Sequence, residues 1–485
     1  MAMADVKGNE GEPGVKEDVE MKRELNLFAL VCMGVGGIVG AGIFVISGQA
    51  ASAYAGPAVV LSFALAGACS LVYALCFAEL SAMVPISGSA YTYTRVAFGR
   101  LPGFLIGWAL VAEYLFAASA VSVGWSGYVR SLFRAMGYPI PDAFDDAPCR
   151  FGENHEFVTT GDIINLPAVL LIVFCTTVVG VGAKTSSTFT TVAVVIKICI
   201  IIVFAVAGAF FVKPENWEPF IPESPDGEFG HFGWTGVVRA SSVIFFAYIG
   251  FDAITTAAAE SKDPQNDIPA AIFWSLGIST VLYMAVALVM TGLAHYTLLG
   301  VPDPMVVAVM EGGPGLAWLA PFITVAVIVG LPGVVLVTMF AISRVLYTMA
   351  NDGMLPELFK ELHPTFFTPL YATILCGVVA GLIAGLFPIG VLAELVSVGT
   401  LFAFGMVCAG VIVLRHTQPD SHRPVVVPFS PFVPGLGVLL AIAQILFLPW
   451  TAWVRMGLWM IGGLMLWFAY GSRGQDSEVS YDRVE

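Results

Sequence analysis

Charged side chains are scarce in this chain of 485 residues, at 12% of the sequence against about 25% in ordinary soluble domains. Hydrophobic residues make up 58%, and the mean hydropathy is +0.86. The 21 Lys and Arg residues form no basic patch, so no nucleic-acid partner is expected despite a net charge of −14. The composition excludes an ordinary soluble domain and predicts an all-α polytopic protein embedded in the lipid bilayer.

Residues arranged for catalysis or metal binding are also missing. The six histidines are scattered, and no cysteine–histidine spacing is typical of a metal site. No nucleophile–base set or cofactor loop is recognisable, so we expect no enzyme, no cofactor and no metal. Of eight cysteines, only Cys149 stands in a polar loop, where it is either a free thiol or an intermolecular one.

About twelve membrane spans are predicted, because each needs roughly 20 mostly apolar residues and the apolar runs fill nearly the whole chain. Residues 1–26 are polar and lack a signal segment, so they are expected to form a disordered cytoplasmic tail, and residues 472–485 are expected to form a second cytoplasmic tail. The predicted spans are 27–47, 57–84, 102–133, 161–183, 188–212, 234–260, 269–294, 315–350, 369–387, 389–414, 432–452 and 454–471.

The distribution of basic residues predicts the orientation. With the N-terminus in the cytoplasm, fourteen Lys and Arg residues fall on the cytoplasmic side and five on the outer side. This asymmetry satisfies the positive-inside rule. An even number of spans then returns the C-terminus to the cytoplasm. We expect a multi-pass protein, in the plasma membrane, with both termini cytoplasmic.

The first apolar run is rich in glycine at its centre, from Gly34 to Gly42. A helix in hydrocarbon must satisfy its own backbone, and open backbone is tolerated only where it is buried in protein or lines a cavity. Five spans later, Phe245 to Asp252 shows a similar interruption. Two interrupted spans at corresponding positions in two halves predict a secondary-transporter site. The alternative is that the glycines only let helices pack closely.

Ionisable residues within spans are costly and therefore informative. Lys197 lies in the middle of span five. Burial disfavours the ammonium, so this group is expected to exchange a proton near neutral pH. The alternative is a structural lysine that caps carbonyls at a broken helix. Glu113, in span three, can pair with a base, accept a hydrogen bond or sense a cationic substrate. Asp252 can cap the helix that resumes after the second interruption.

A set of motifs in order along the chain resembles the amino acid–polyamine–organocation superfamily. Within it, the resemblance is to the cationic amino acid transporter branch and its bacterial proton-coupled relatives. The matching stretches cover most of the membrane domain. They are 37–44, 78–80, Pro85, 87–93, Glu113-Tyr114, Gly182-Ala183-Lys184, Lys197, 245–252, 262–264, 268–269, 349–356 and 392–401.

The resemblance implies a leucine-transporter-type fold with interrupted helices 1 and 6. Two inverted five-helix repeats are then expected at 27–212 and 213–414, with two appended spans at 415–471. It also implies amino acid uptake without ATP, by alternating access.

The resemblance also implies a substrate site built largely from backbone. The amides of Gly40, Ala41 and Gly42 are expected to hold the substrate carboxylate at a helix N-terminus. Lys197 would occupy the place that sodium takes in sodium-coupled members, so protons are the expected coupling ion. Glu113 is a possible partner of the substrate or of the proton. The carbonyls expected to take the ammonium belong to Ile38, Phe246, Ala247 and Ile249, and the side chains expected to discriminate substrates are Phe246, Ile249 and Met339.

One departure leaves the substrate open between cationic and neutral amino acids. The cationic branch tends to carry Gly-Gln-Thr-Arg in span eight, where this chain has Ala341-Ile342-Ser343-Arg344.

Two other functions are alternatives. One is a heteromeric exchanger subunit linked to a partner through Cys149, and the other is a membrane amino acid sensor.

Overall fold

The computed structural model describes residues 23–473, except 41, 152–156, 225–226, 228, 302, 447 and 449. The predicted tails therefore lie almost wholly outside the described residues. The described part is predominantly helical, as the composition predicts. Its one small sheet pairs Cys149–Phe151 with Phe157–Thr159 in antiparallel register, with Cys149 opposite Thr159.

The helices follow the apolar runs of the sequence. The first begins after Asn26, whose side chain accepts a hydrogen bond of 2.9 Å from the amide of Ala29 and so caps the first turn. The helices are α1 Leu27–Ile38, α2 Ser47–Ala50, α3 Val59–Met83, α4 Ala90–Phe98, α5 Arg100–Ala135, α6 Leu166–Val181, α7 Ala183–Ala209, α8 Gly233–Ile244, α9 Pro264–Leu293, α10 Pro304–Glu311, α11 Ala320–Gly330, α12 Pro332–Asn351, α13 Leu370–Leu386, α14 Ile389–Thr417, α15 Phe432–Leu446 and α16 Trp450–Ala469.

Eight helical segments of the described residues are long and apolar enough to cross a membrane. The first, Leu27–Met83, covers 57 residues and two of the predicted spans. Three shorter apolar helices, α6, α13 and α15, coincide with predicted spans four, nine and eleven. The all-α polytopic architecture is confirmed, whereas the number of twelve spans and the division into repeats stay predictions.

Predicted span eight is divided into α11 and α12. The division falls at Leu331, just before Pro332, which has no amide hydrogen to continue the helical ladder. Apolar periodicity alone does not show such a division, because both halves remain apolar.

The outer surface of the bundle is apolar. Large side chains such as Val281, Leu439 and Met465 are exposed by 68%, 65% and 65%. Apolar side chains exposed in this way mark the faces that meet lipid. Inside the bundle, α1 packs against α7, α9 and α12, so the interrupted first span is enclosed by other helices.

Candidate substrate site

The first span is interrupted where the glycines predict it. Helix α1 ends at Ile38, and helical structure resumes at Gly42 in a π-helical turn, Gly42–Ile46. Gly40 and Gly42 are buried in or beside this gap. Ala41, the third residue expected to hold a carboxylate, lies outside the described residues. We call the segment from Gly37, in the last turn of α1, to Gly42 the first break.

The sixth span is interrupted in the same manner. Helix α8 continues into a 3₁₀ turn at Phe245–Tyr248, and a second 3₁₀ segment runs through Asp252–Glu260. Between them Ile249 is extended, and Gly250 has a φ of 120°. Only glycine adopts that backbone conformation readily. We call the segment from Phe245 to Gly250 the second break.

The two breaks touch through their backbones. A Cβ atom placed on Gly37 would lie 3.1 Å from the carbonyl oxygen of Gly250, and one placed on Gly250 would lie 2.8 Å from the carbonyl carbon of Gly37. A Cβ on Gly42 would lie 2.6 Å from Cα of Ala247. The glycines therefore allow both the interruption of the helices and the close packing between them. The two explanations that the sequence left open are both present in one arrangement.

Lys197 joins span five to the first break. Its Nζ atom donates to the carbonyl oxygen of Val39 at 2.6 Å and to that of Gly36 at 3.2 Å, and the side chain is fully buried. These carbonyls belong to the C-terminal end of α1, where unpaired oxygens and the helix dipole favour a cation. The ion pairs among the described residues do not include Lys197. The carbonyl-capping role foreseen for this lysine is thus present in the geometry.

Tyr283 joins the two breaks to each other, and sequence reasoning missed it. Its hydroxyl lies 2.6 Å from the carbonyl oxygen of Ile38 and 2.8 Å from that of Ala247, two of the four carbonyls expected to take the ammonium. A tyrosine hydroxyl has one hydrogen, so it satisfies one of these two carbonyls at a time. The available signal was a polar aromatic residue in the middle of an otherwise apolar span.

Replacing this hydroxyl tests its part in the site. We expect Tyr283→Phe to weaken substrate binding by about 10-fold or more, because a buried carbonyl left without a donor costs about 1–3 kcal/mol and the two breaks lose their link. The measurement is a binding isotherm on purified protein. The control is Tyr73→Phe, since the buried Tyr73 belongs to neither break and its hydroxyl donates to the side-chain oxygen of Gln444 at 3.2 Å. Equal losses in both variants would assign Tyr283 to packing alone.

The remaining predicted contacts are less direct. The carbonyl of Phe246 accepts from the amide of Ile249 at 3.3 Å. Met339 is fully buried on α12. The side chains of that helix that meet the first break are instead Val334 and Val337, at 3.1 and 3.3 Å from Cβ positions built on Gly40 and Gly37. Met339 follows Val337 by two positions and so projects about 200° round the helix from it. The face of α12 toward the site thus includes Val334 and Val337, which the sequence did not single out.

Two acids lie together beyond the second break. Glu113 on α5 is fully buried, and neither of its carboxylate oxygens has a hydrogen-bond partner among the described residues. Asp252 is also fully buried, and its Oδ2 atom accepts a hydrogen bond from the hydroxyl of Tyr114. The described part of the chain has no base that pairs with Glu113. The first role that the sequence suggested for Glu113, pairing with a base, therefore has no partner there. Its role toward a substrate or a proton stays a prediction.

Cys149 begins the first strand of the small sheet. Its side chain lies outside the described residues, so the link to a partner stays a prediction. Among the described residues, no group of His, Cys, Asp and Glu could hold a metal ion.

The chain is similar to known permeases over nearly its whole length. The profile of the amino acid permease family matches residues 25–468. The methylthioribose transporter of Bacillus subtilis is 41% identical over 453 residues, 93% of this chain and 94% of that protein. The branched-chain amino acid permease BcaP of the same organism is 38% identical over 93% of this chain and 94% of its own length. The vacuolar cationic amino acid transporter 4 of Arabidopsis thaliana is 35% identical over 83% of this chain and 65% of its own length. The chain is therefore a membrane transporter rather than an enzyme, and it belongs to the amino acid permease family of the amino acid–polyamine–organocation superfamily.

Proposed function

We propose that this protein carries L-amino acids with apolar side chains across the membrane, by alternating access coupled to protons. The observation that carries the proposal is the pair of hydrogen bonds from Lys197 to the carbonyls of Gly36 and Val39. A charged Lys197 forms stronger hydrogen bonds to these carbonyls than a neutral one, so it ties the end of α1 to span five more firmly. Proton transfer at Lys197 would therefore favour one arrangement of the first span over another.

The two breaks supply the groups that an α-amino acid needs. Amides at the start of the helical segment after the first break favour a carboxylate, because the helix dipole is positive there. Carbonyls at the end of α1 and in the second break favour an ammonium. Tyr283 fixes the relative position of the breaks, so the two charged ends of a substrate would meet preformed partners.

The apolar preference rests on the side chains around the breaks. Val334 and Val337 of α12 lie beside the first break, and further along the same helix Ile342 stands where the cationic branch tends to carry glutamine. Apolar walls with a few fixed polar groups are typical of small-molecule sites. The name of the BcaP relative, a branched-chain amino acid permease, agrees with this preference.

A second candidate substrate is a sugar-like solute, because the 41% identical relative is named a methylthioribose transporter. Such a solute has neither the ammonium nor the carboxylate of an amino acid. It would use the amides and carbonyls of the breaks as ordinary hydrogen-bonding groups.

The experiment is uptake by the purified chain in proteoliposomes, with and without an inward proton gradient. We expect concentrative uptake of leucine, isoleucine and valine, weaker uptake of arginine, and none of isoamylamine, which is leucine without its carboxylate. Uptake of methylthioribose in preference to leucine would establish the second candidate. Proton-driven uptake by the chain alone would also argue against an obligatory partner on Cys149 and against a sensor without transport.

A further inference from the structure

A polar cavity of about 160 Å³ lies away from the breaks, at the end of the bundle that the basic residues place in the cytoplasm. One water needs only about 15 Å³ of such space, so the cavity admits a small organic molecule. Four segments meet around it. They are the residues before α1, the corner between α6 and α7, the end of span six and the loop before α13, represented by Glu24, Lys184, Glu260 and Phe366.

Glu260 lines this cavity and carries a carboxylate oxygen without a hydrogen-bond partner among the described residues. Its side chain is 2% exposed, and both the Nε and Nη2 atoms of Arg344 lie 2.9 Å from the same carboxylate oxygen, Oε1. The other oxygen, Oε2, has no hydrogen-bond partner among the described residues. A buried acceptor without a donor is costly. A ligand with an N–H group would remove that cost.

The rest of the lining carries charge of both signs. Glu24 is an exposed acid near Glu260, and Lys184 is an exposed base at the start of α7. The ion pairs of the described residues include neither Glu24 nor Lys184. Two carboxylates and one ammonium around a small cavity complement a zwitterion.

The cavity also lies across a joint between the first and sixth spans. The amide of Leu25 donates to the carbonyl of Glu260, and the amide of Lys262 donates to the carbonyl of Leu25, each at 2.9 Å. We call this pair of backbone hydrogen bonds the Leu25 bridge. A ligand that contacts Glu24 and Glu260 together holds both sides of the Leu25 bridge.

We propose that this cavity binds a free α-amino acid from the cytosol and thereby slows transport. The ammonium of the ligand lies between Glu260 Oε2 and Glu24, and its carboxylate pairs with Lys184. Occupancy keeps the Leu25 bridge closed and delays the opening of the cytoplasmic side. The choice of ligand rests on the proposed function, since the transported solute is the amino acid that accumulates on that side.

The test measures initial leucine uptake into proteoliposomes while unlabelled leucine inside is raised, in protein of determined orientation. We expect internal leucine to inhibit the wild type. Lys184→Gln and Glu24→Gln should each need about tenfold more internal leucine for the same inhibition, because each loses one charge-assisted contact. Both side chains are exposed, so the variants should fold. Lys262→Gln is the control, since Lys262 is an exposed lysine of the same end that does not line the cavity, and glutamine keeps the backbone amide with which it joins the Leu25 bridge.

Each outcome decides a separate point. Normal uptake with the same inhibition in Lys184→Gln, Glu24→Gln and wild type would overturn the cavity proposal alone. Acceleration of uptake by internal leucine would also overturn it. Absence of leucine uptake in the wild type would overturn the proposed function and the inference with it.

A lipid could supply the same chemistry, because phosphatidylethanolamine carries an ammonium beside an anionic phosphate. The assay is therefore run in phosphatidylcholine vesicles with and without phosphatidylethanolamine. Inhibition by internal leucine should persist in phosphatidylcholine alone. Inhibition that follows the lipid and not the internal leucine would overturn the assignment to an amino acid.

Discussion

Lys197→Met is expected to abolish concentrative uptake and to remove its dependence on an inward proton gradient. Methionine is similar in length but cannot carry a proton, and it leaves the buried carbonyls of Gly36 and Val39 without the donor that Nζ supplies. Each unsatisfied carbonyl costs about 1–3 kcal/mol, so the end of α1 loses its tie to span five. The measurement is the initial rate and the accumulation ratio in proteoliposomes over a range of external pH.

Two controls separate charge from packing. Lys213→Met removes a lysine that also donates to a carbonyl, that of Glu311 at 3.1 Å, but in an exposed position, and it should leave uptake unchanged. Replacement of sodium by choline should likewise have no effect, because a fixed ammonium at the first break repels a second cation. An unchanged pH profile in Lys197→Met, or sodium-dependent uptake by the wild type, would leave Lys197 with a structural role only.

Gly250→Ala is expected to abolish substrate binding. The residue has a φ of 120°, which strains any side chain, and a Cβ atom would come within 2.8 Å of the backbone of Gly37. Backbone cannot move aside as a flexible side chain can, so the two breaks must separate. The measurements are a binding isotherm and the thermal unfolding midpoint of the purified protein.

Gly313→Ala is the matched control. Gly313 has a φ of 102°, but a Cβ atom there would meet nothing within 4 Å. It therefore bears the backbone strain without the overlap and should bind substrate normally. If both variants bound substrate equally well, contact between the breaks would be unnecessary for the site. If both lost binding, strain rather than contact would be the cause.

The sequence predicts those parts of the site that depend on local backbone chemistry. A glycine cluster within an apolar run locates the first break, and the single Gly250 within the run 245–252 marks the second, because glycine adopts such backbone most readily. A lysine in mid-span must have a partner, and the nearest unpaired carbonyls are those of a broken helix. The partnership of Lys197 with the end of α1 follows from these two facts and the resemblance to the superfamily.

Other parts depend on contacts between distant positions, and the partners in such contacts have no local signal. Tyr283 meets Ile38 across 245 residues of sequence, and nothing in its own helix shows which carbonyl it faces. The same is true of Val334 and Val337, which resemble any other apolar residues of α12. The cavity at Glu260 requires four separate segments to meet, so it exists only in the folded chain.

The Leu25 bridge consists of main-chain atoms alone, which every residue except proline supplies in the same way. The two hydrogen bonds of the Leu25 bridge therefore do not depend on which side chain stands at position 25. Two related chains that share no side chain at this position can form the same joint, whereas alanine at the buried Leu25 or at Glu260 would act through lost packing or the lost pair with Arg344. The joint depends on the number of residues between Leu25 and the start of α1. Related chains should therefore be compared by this spacing rather than by the residue at position 25.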